Sequence, residues 1–142
     1  RGIVSVMNMR ARVLTVGELG PGESIGYGAM FRAPTTQKTK VRYAIVGVGY
    51  ADGLHRSLGG SVSDSGPSQP SPVWINGQRS QWLGRISMDL SAILAPAGTK
   101  AGDWVTVLGE PLDIWEQAHL AQTIPYELLT STSRRVPRIY VP

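Results

Sequence analysis

Glycine and proline divide the chain into short segments, and this spacing limits the folds that it can adopt. The 142 residues include 17 glycines and 10 prolines, the residue types that turns and sharp bends require. Frequent turns favour many short strands over long helices. A chain of this length can bury a sizeable core as one domain. The sequence therefore predicts a single domain, residues 1–142, of the mainly β class.

Alternating apolar residues and β-branched runs predict where the strands lie. Asn76-Gly77 between two strand-like runs is typical of a two-residue hairpin turn, because both central positions need positive φ. Serine, glycine and proline dominate residues 59–72, which predicts a mobile loop there. The predicted strands cover residues 4–16, 24–31, 40–48, the hairpin at 73–79, 81–88, 91–94, 104–108 and 135–141.

Two short helices are predicted near the C-terminus. Asp113 precedes an apolar stretch and Glu116 follows three residues later, the pattern of a capping box that starts a helix. The apolar spacing carries this helix to about residue 122. Pro125 favours the first turn of a second helix through residue 129. With the strands, these elements predict an antiparallel β-barrel-like domain with one or two short helices.

Charge and composition exclude several classes of site. The net charge is +4 and there is no cysteine, which removes disulfides and thiolate metal sites. His55 and His119 match no zinc spacing, so no metal site is predicted. No basic run with interleaved aromatics occurs, which argues against nucleic acid. No apolar run approaches the roughly 18 residues of a membrane span, so no membrane partner is predicted.

Glycine-flanked tyrosines and a methionine-bearing run are the most distinctive motifs. They are Gly-Tyr-Gly around Tyr27, Gly-Tyr-Ala-Asp-Gly around Tyr50, and Gly-Arg-Ile-Ser-Met-Asp ending beyond Met88. Glycine beside a tyrosine allows a sharp turn or a close approach of the backbone. From the residues alone, Tyr27 is interpreted as a packed edge tyrosine, Tyr50 and Asp52 as turn residues, and Met88 as core filler.

The arginines near these motifs also have an ordinary structural interpretation. Eleven of the fourteen basic residues are arginine, whose guanidinium forms bidentate contacts with carboxylates and phosphates. Arg56 and Arg85 are interpreted as surface ion-pair residues. Arg134 and Arg135 are interpreted as the charged end of the last strand, where it begins. The alternative is that this charge meets an anionic ligand.

Taken together and in order, the motifs resemble the C-terminal domain of alanine racemase, a pyridoxal phosphate enzyme. The two tyrosine motifs are followed by the Asn-Gly hairpin, by Gly-Arg-Ile-Ser-Met-Asp, and by Tyr-Glu-Leu-Leu-Thr before Arg-Val-Pro-Arg. The resemblance covers about residues 4–141. It implies a bacterial, cytoplasmic isomerase that interconverts L-alanine and D-alanine, with D-alanine feeding peptidoglycan.

The resemblance also implies a role for each motif residue. Tyr27 matches the catalytic tyrosine, which handles the α-proton of alanine on one face of the cofactor. Met88 matches the residue whose backbone amide helps to hold the substrate carboxylate. Tyr50 matches a tyrosine that narrows the substrate entrance. Arg56 and Arg85 match basic residues of the entry corridor.

The cofactor is expected to be bound outside this chain. In the family its lysine lies in an N-terminal (β/α)₈ barrel of roughly 250 residues, and Lys38, Lys40 and Lys100 occur here only in polar, loop-like sequence. Arg134 stands where some members place a tyrosine that contacts the cofactor phosphate. The family forms a head-to-tail homodimer, in which Tyr27 would reach the partner subunit's barrel. The fragment alone is therefore expected to be inactive.

Two other functions stay open at this stage. A free-standing β-barrel binding module for an anionic ligand or single-stranded nucleic acid is compatible with the positive charge and the small barrel. It is disfavoured because aromatic residues do not recur along one strand face beside lysines. The second alternative is a related pyridoxal phosphate racemase or epimerase with another substrate. Tyr50 indicates that its pocket would be narrow.

Overall fold

The computed structural model describes residues 6–36, 39–59, 62–63, 66–67 and 69–141. Its strands are β1 (Met9–Leu19), β2 (Ser24–Ile25), β3 (Phe31–Arg32), β4 (Val41–Val46), β5 (Val62–Ser63), β6 (Gly66–Pro67), β7 (Pro72–Ile75), β8 (Gln78–Gln81), β9 (Ser91–Leu94) and β10 (Trp104–Leu108). Three 3₁₀ turns lie at Tyr27–Ala29, Tyr50–Asp52 and Arg56–Gly59, and two helices at α1 (Ile114–Leu120) and α2 (Pro125–Thr130). The predicted mainly β class with two short helices is confirmed.

Six strands form one curled antiparallel sheet in the order β8-β7-β10-β1-β4-β9. The long strand β1 pairs with β10 through Met9–Arg12 and with β4 through Val13–Leu19, and its register shifts within both pairings. Such irregularities bend a strand and increase its twist. A bridge between Trp82 and Ile93 brings the two outer strands of the sheet towards each other. The sheet is therefore a half-barrel.

The core fills the concave face of this sheet. Ile75, Val105, Val107 and Ile93 are completely or almost completely buried, and burying a side chain of this size contributes about 1.5–3 kcal/mol. Both helices pack on the same cluster through the following residues: Ala118, Ala121 and Leu128. The buried Gln117 side-chain amide donates a hydrogen bond to the Val107 carbonyl at 2.9 Å, which fixes α1 against β10.

Elements with a strong local signal match their predictions. Asn76 and Gly77 have φ values of 50° and 76° at the tip of the β7–β8 hairpin, as its two-residue turn requires. The strands predicted at 91–94 and 104–108 have the predicted bounds. The Asp113 carboxylate accepts a hydrogen bond from the Trp115 amide at 2.8 Å and starts α1. Glu116 does not close a capping box, because its carboxylate pairs with Arg79 of β8.

Three predicted strands are wrong. Residues 24–31 are interrupted by a turn, because Gly26, Gly28 and Ala29 take positive φ values of 87°, 72° and 51°. Residues 81–88 leave the regular ladder after Gln81, apart from the single bridge of Trp82 to Ile93, and Gly84 turns the chain with a φ of 74°. Residues 135–141 form no strand. In each case the local apolar pattern is present but a turn takes the place of strand pairing.

Other boundaries shift by a few residues. The first strand runs from residue 9 to residue 19 instead of 4–16, and residues 4–5 lie outside the described residues. The strand predicted at 40–48 spans 41–46. Five of the fourteen residues of the predicted loop at 59–72 lie outside the described residues, and the described parts include the short β5–β6 ladder. No helix in the described part of the chain is long and apolar enough to cross a membrane.

Candidate active site

A cleft of about 570 Å³ opens where two 3₁₀ turns, Tyr27–Ala29 and Tyr50–Asp52, face residues 86–90. Its lining consists of Tyr27, Tyr50, Arg56, Ile86, Ser87, Met88, Asp89 and Leu90. Four of the six predicted site residues therefore meet in one cavity, although they come from three separate stretches of sequence. The other two, Arg85 and Arg134, are not part of the lining.

Tyr27 projects from a tight turn at the end of the β2–β3 ladder. Ser24 pairs with Arg32 and Ile25 with Phe31 below it, and the Ala29 amide donates to the Gly26 carbonyl across the turn. The positive φ at Gly26 is readily available to glycine and strained for most other residues. Tyr27 is 75% exposed, and its hydroxyl bonds to no described residue. It is not the packed edge tyrosine expected from the residues alone.

The wall opposite Tyr27 is built by main-chain contacts. The Tyr50 amide donates to the Ser87 carbonyl at 2.9 Å, and the Ala51 amide donates to the Met88 carbonyl at 3.0 Å. Gly49 has extended backbone with a φ of −158°, so it is needed for space alone. A Cβ atom there would overlap the carbonyl oxygens of Ser87 and Met88. The glycine motif around Tyr50 thus lets two backbone segments touch.

Within the described part of the chain, the amide of Met88 has no hydrogen-bond partner. In a trans peptide the N–H points opposite to the preceding C=O, and the Ser87 carbonyl is already directed at Tyr50. The Met88 N–H therefore points away from that turn, and no acceptor for it lies among the described residues. The Met88 side chain is 53% exposed, so its interpretation as core filler is wrong. An unpaired amide beside a cleft can bind an anion.

A three-residue charge cluster lies beside Met88, and we call Asp52, Arg135 and Asp89 the arginine bridge. Arg135 Nε donates to one Asp52 oxygen at 2.7 Å, and its Nη2 donates to Asp89 at 2.5 Å. The second Asp52 oxygen accepts the Gly49 amide at 2.9 Å. These two hydrogen bonds, chiefly the one to Asp52, raise the pKa of Arg135 above its ordinary value. Asp52 is confirmed as a turn residue.

The arginine bridge is the part of the site that the sequence did not reveal. From the residues alone Arg135 is interpreted as the charged start of a strand, and the Arg-Val-Pro-Arg motif that contains it implies no role for it. Its partners lie 83 and 46 residues away. The chain after α2 is held to the same turn by two further contacts: the Ser133 amide donates to the Asp52 carbonyl, and the Ser131 hydroxyl donates to the Gly53 carbonyl at 2.7 Å. No local pattern in the sequence encodes these long-range contacts.

The remaining predicted arginines occupy different settings. Arg56 lines the cleft, and its guanidinium carbon lies 5.8 Å from the centre of the Tyr50 ring, within the range of a cation–π contact. Arg85 is half-buried and lies outside the lining. Arg134 is exposed and pairs with no described residue. Only Arg56 thus brings a fixed positive charge from a predicted site residue into the cleft.

Among the described residues, the lining of the cleft offers no amine for covalent attachment of a cofactor. An aldehyde cofactor needs an amine, and no lysine lines the cleft. Lys40 pairs with Glu18 at 3.2 Å on the sheet, Lys100 is exposed in a turn, and Lys38 lies outside the described residues. Among the residues described, no three histidine or acidic side chains are grouped to hold a metal ion.

Comparison with known proteins agrees with the fold and with the motifs. The family profile described as "Alanine racemase, C-terminal domain" matches residues 6–140. Alanine racemase from Nitrosomonas eutropha is 39% identical over 99% of the chain, and that from Marinobacter nauticus is 38% identical over 98%. The biosynthetic alanine racemase of Pseudomonas aeruginosa superimposes with a TM-score of 0.84 at 33% identity over 99% of the chain. The chain spans 36% of the length of each of these three proteins.

Proposed function

The chain belongs to the alanine racemase C-terminal domain family, and from this premise we propose that it is the catalytic-tyrosine domain of a bacterial alanine racemase. The longer protein would interconvert L-alanine and D-alanine in the cytoplasm and supply D-alanine for peptidoglycan. The single observation that carries the proposal is the meeting of Tyr27, Tyr50 and Met88 in one open cleft. Relatives of which this chain covers about a third carry the name alanine racemase.

Tyr27 is the proposed acid and base on one face of the substrate. Its hydroxyl is exposed at the cleft and has no described partner, so it is available to exchange a proton with a bound molecule. A free phenol has a pKa of about 10 and is a weak base at neutral pH. Nearby positive charge would favour the ionised form, and Arg56 lines the same cleft.

Met88 and Tyr50 are the proposed substrate-binding residues. The Met88 N–H has no acceptor among the described residues and can receive the carboxylate of alanine. The Tyr50 ring, beside Arg56, narrows the cleft and would limit the size of the side chain that enters. We propose that Arg56 and Arg85 act in the entry corridor and attract the anionic end of the substrate.

Pyridoxal phosphate is proposed to be held by an N-terminal barrel of the longer protein, since the cleft lacks a lysine. When bound, the cofactor would delocalise the charge that remains at the α-carbon after proton removal. Tyr27 would face the barrel of the partner subunit in a head-to-tail homodimer. Arg134, exposed and without a described partner, is the residue proposed to approach the cofactor phosphate.

The first test is Tyr27→Phe in the full-length protein with cofactor. General acid–base groups typically contribute about 10²–10⁴-fold, so we expect the turnover number for racemisation to fall by that factor while substrate affinity changes little. Solvent-deuterium incorporation at the α-carbon of L-alanine measures the loss. Tyr126→Phe is the matched control, because Tyr126 is 69% exposed on α2 outside the cleft. Near-normal turnover in Tyr27→Phe would refute the assignment.

One exposed aromatic ring could favour the binding-module alternative, but the chain's own arginines cover it. Trp104 is exposed on the outer sheet face, yet the Arg12 guanidinium lies 3.7 Å from its ring centre and Arg10 lies 5.3 Å away. Arg12 also donates to the Gly102 carbonyl at 2.5 Å. The ring is therefore covered by the chain's own arginines, which leaves less of its face for a nucleic-acid base to stack on.

A further inference from the structure

We propose that Arg135 is a positioning residue, which holds the Met88 amide in place by joining the carboxylates of Asp52 and Asp89. This inference rests on the proposed function, because the amide is its proposed carboxylate-binding group. Arg135 itself does not line the cleft. It acts on the site through Asp89, which follows Met88 directly and lies in the lining.

The arginine bridge helps to fix a segment that has no regular structure. Residues 87–89 belong to neither a helix nor a strand, so regular structure does not fix the orientation of the Ser87–Met88 peptide. Two amide hydrogen bonds from Tyr50 and Ala51 fix one side of this segment. The arginine bridge fixes the other end, since Arg135 reaches Asp89 at 2.5 Å while it holds Asp52 at 2.7 Å. The Tyr50 turn and the Met88 segment are thereby joined at both ends.

The charges beside the Met88 amide favour the same role for Arg135. Asp89 follows the amide that is proposed to bind a carboxylate, and an unneutralised aspartate there would repel such a ligand. Asp52 adds a second negative charge on the same wall. One guanidinium between them compensates part of this charge and draws the Asp89 carboxylate towards itself. Arginine suits the task because its planar fork can bind two carboxylates from different nitrogens at once.

The pairing of Arg135 differs from that of three other arginines in the chain. Arg138 donates only to the Thr132 carbonyl, within its own segment, and Arg134 pairs with no described residue. Arg79 forms a carboxylate pair with Glu116, but that pair joins β8 to α1 away from the cleft. Within the described part of the chain, Arg135 alone pairs with two carboxylates.

The test compares Arg135→Gln with Arg79→Gln in the full-length protein with cofactor. Each variant removes an arginine–carboxylate contact, but only the first loosens the segment at Met88. We expect Arg135→Gln to raise both the KM for L-alanine and the inhibition constant of propionate about tenfold or more, because a displaced Met88 amide would donate a weaker hydrogen bond to the carboxylate of either molecule. The turnover number should change less than threefold, a factor worth about 0.65 kcal/mol.

Hydrogen–deuterium exchange provides a readout that does not depend on activity. Amides in residues 49–53 and 86–90 should exchange faster in Arg135→Gln, whereas Arg79→Gln should leave both segments unchanged. Propionate carries the carboxylate of alanine without its amino group, so its binding reports the Met88 contact. If Arg135→Gln does not fold, Arg135→Lys, which keeps the charge but cannot span both carboxylates in the same way, should still raise the inhibition constant above the wild-type value.

The outcomes separate this inference from the proposed function. Absence of racemisation by the wild-type protein would overturn the proposed function, and this inference with it. Normal wild-type turnover, with propionate binding and exchange unchanged in both Arg135 variants, would overturn this inference alone. Equal effects of Arg135→Gln and Arg79→Gln would also overturn it, because they would show a general loss of stability.

Discussion

The curled sheet and the cleft wall are built on different physical principles. The sheet relies on continuous backbone ladders and on apolar side chains that are almost completely buried, such as Ile93 and Val105. The wall, residues 49–59 and 84–90, has 3₁₀ turns but no strand, and it is held by glycine close approaches, amide–carbonyl bonds and the arginine bridge. Damage to the sheet should therefore lower the stability of the whole domain, whereas damage to the wall should act mainly at the site.

The largest effect is expected from a cavity in the sheet. Ile93 is completely buried between β4 and the Trp82 bridge, and Ile→Ala changes of this kind cost about 2–5 kcal/mol. We expect Ile93→Ala in the full-length protein to lower the denaturation midpoint strongly while the turnover per folded molecule stays unchanged. Ile93→Val, expected to cost about 0.5–1.5 kcal/mol, is the graded control. Lost turnover with unchanged stability would contradict the expectation that damage to the sheet acts on stability and not on the site.

A substitution in the wall should reverse this pattern. A Cβ at position 49 would overlap two backbone carbonyls, so Gly49→Ala must push the Ser87–Met88 segment away. A displacement of about 1 Å at a reacting group can cost about 10²-fold, and we expect kcat/KM for L-alanine to fall by that order. Gly47→Ala is the matched control, since its Cβ would meet only the flexible Leu14 side chain at 3.4 Å or more. Equal loss in both variants would refute the spatial argument.

The smallest effect is expected at the far end of the sheet, where Asp103 accepts the Lys100 amide and the Asn76 side-chain amide. These hydrogen bonds, first the one from Lys100, lower the pKa of Asp103 below its ordinary value of 3.8. The stabilisation is therefore complete above that value and is lost as the pH falls through the lowered pKa. Asp103→Asn should flatten the acid side of the melting-temperature profile slightly and leave propionate binding unchanged. A changed inhibition constant would link the two regions.

Local physics explains which parts of the fold could be predicted. Asn76-Gly77 specifies its own turn, and Asp113 and Pro125 each mark a helix start within one turn of sequence. The strand predicted around Tyr27 failed because positive φ at three nearby positions outweighs the apolar pattern. The strand predicted from Arg135 failed because the chain turns there, with the Val136 amide donating to the Ser133 carbonyl. The Arg135 side chain also bonds to two distant carboxylates, which no local window of sequence contains.

The candidate site was predicted by family motifs and not by periodicity. Those motifs indicated Tyr27, Tyr50, Met88 and Arg56, which share the cleft, but also Arg85 and Arg134, which lie outside its lining. The residues alone favour a place in the core for Met88, whereas the residue is half exposed. The reason is that its proposed group is a backbone amide, and the orientation of an amide depends on contacts with Tyr50 and Ala51 that are distant in sequence.

The Met88 amide, which has no acceptor among the residues that the structure describes, affects how the protein can be dissected. Every residue except proline carries the same N–H, so an alanine scan would pass over this position almost silently, whatever its importance. Replacing the Ser87–Met88 amide linkage with an ester, by incorporating an α-hydroxy acid at position 88, deletes that one hydrogen and keeps the side chain. Chemical editing of the main chain is therefore the experiment that this position calls for, and sequence variation at residue 88 is a poor guide to its importance.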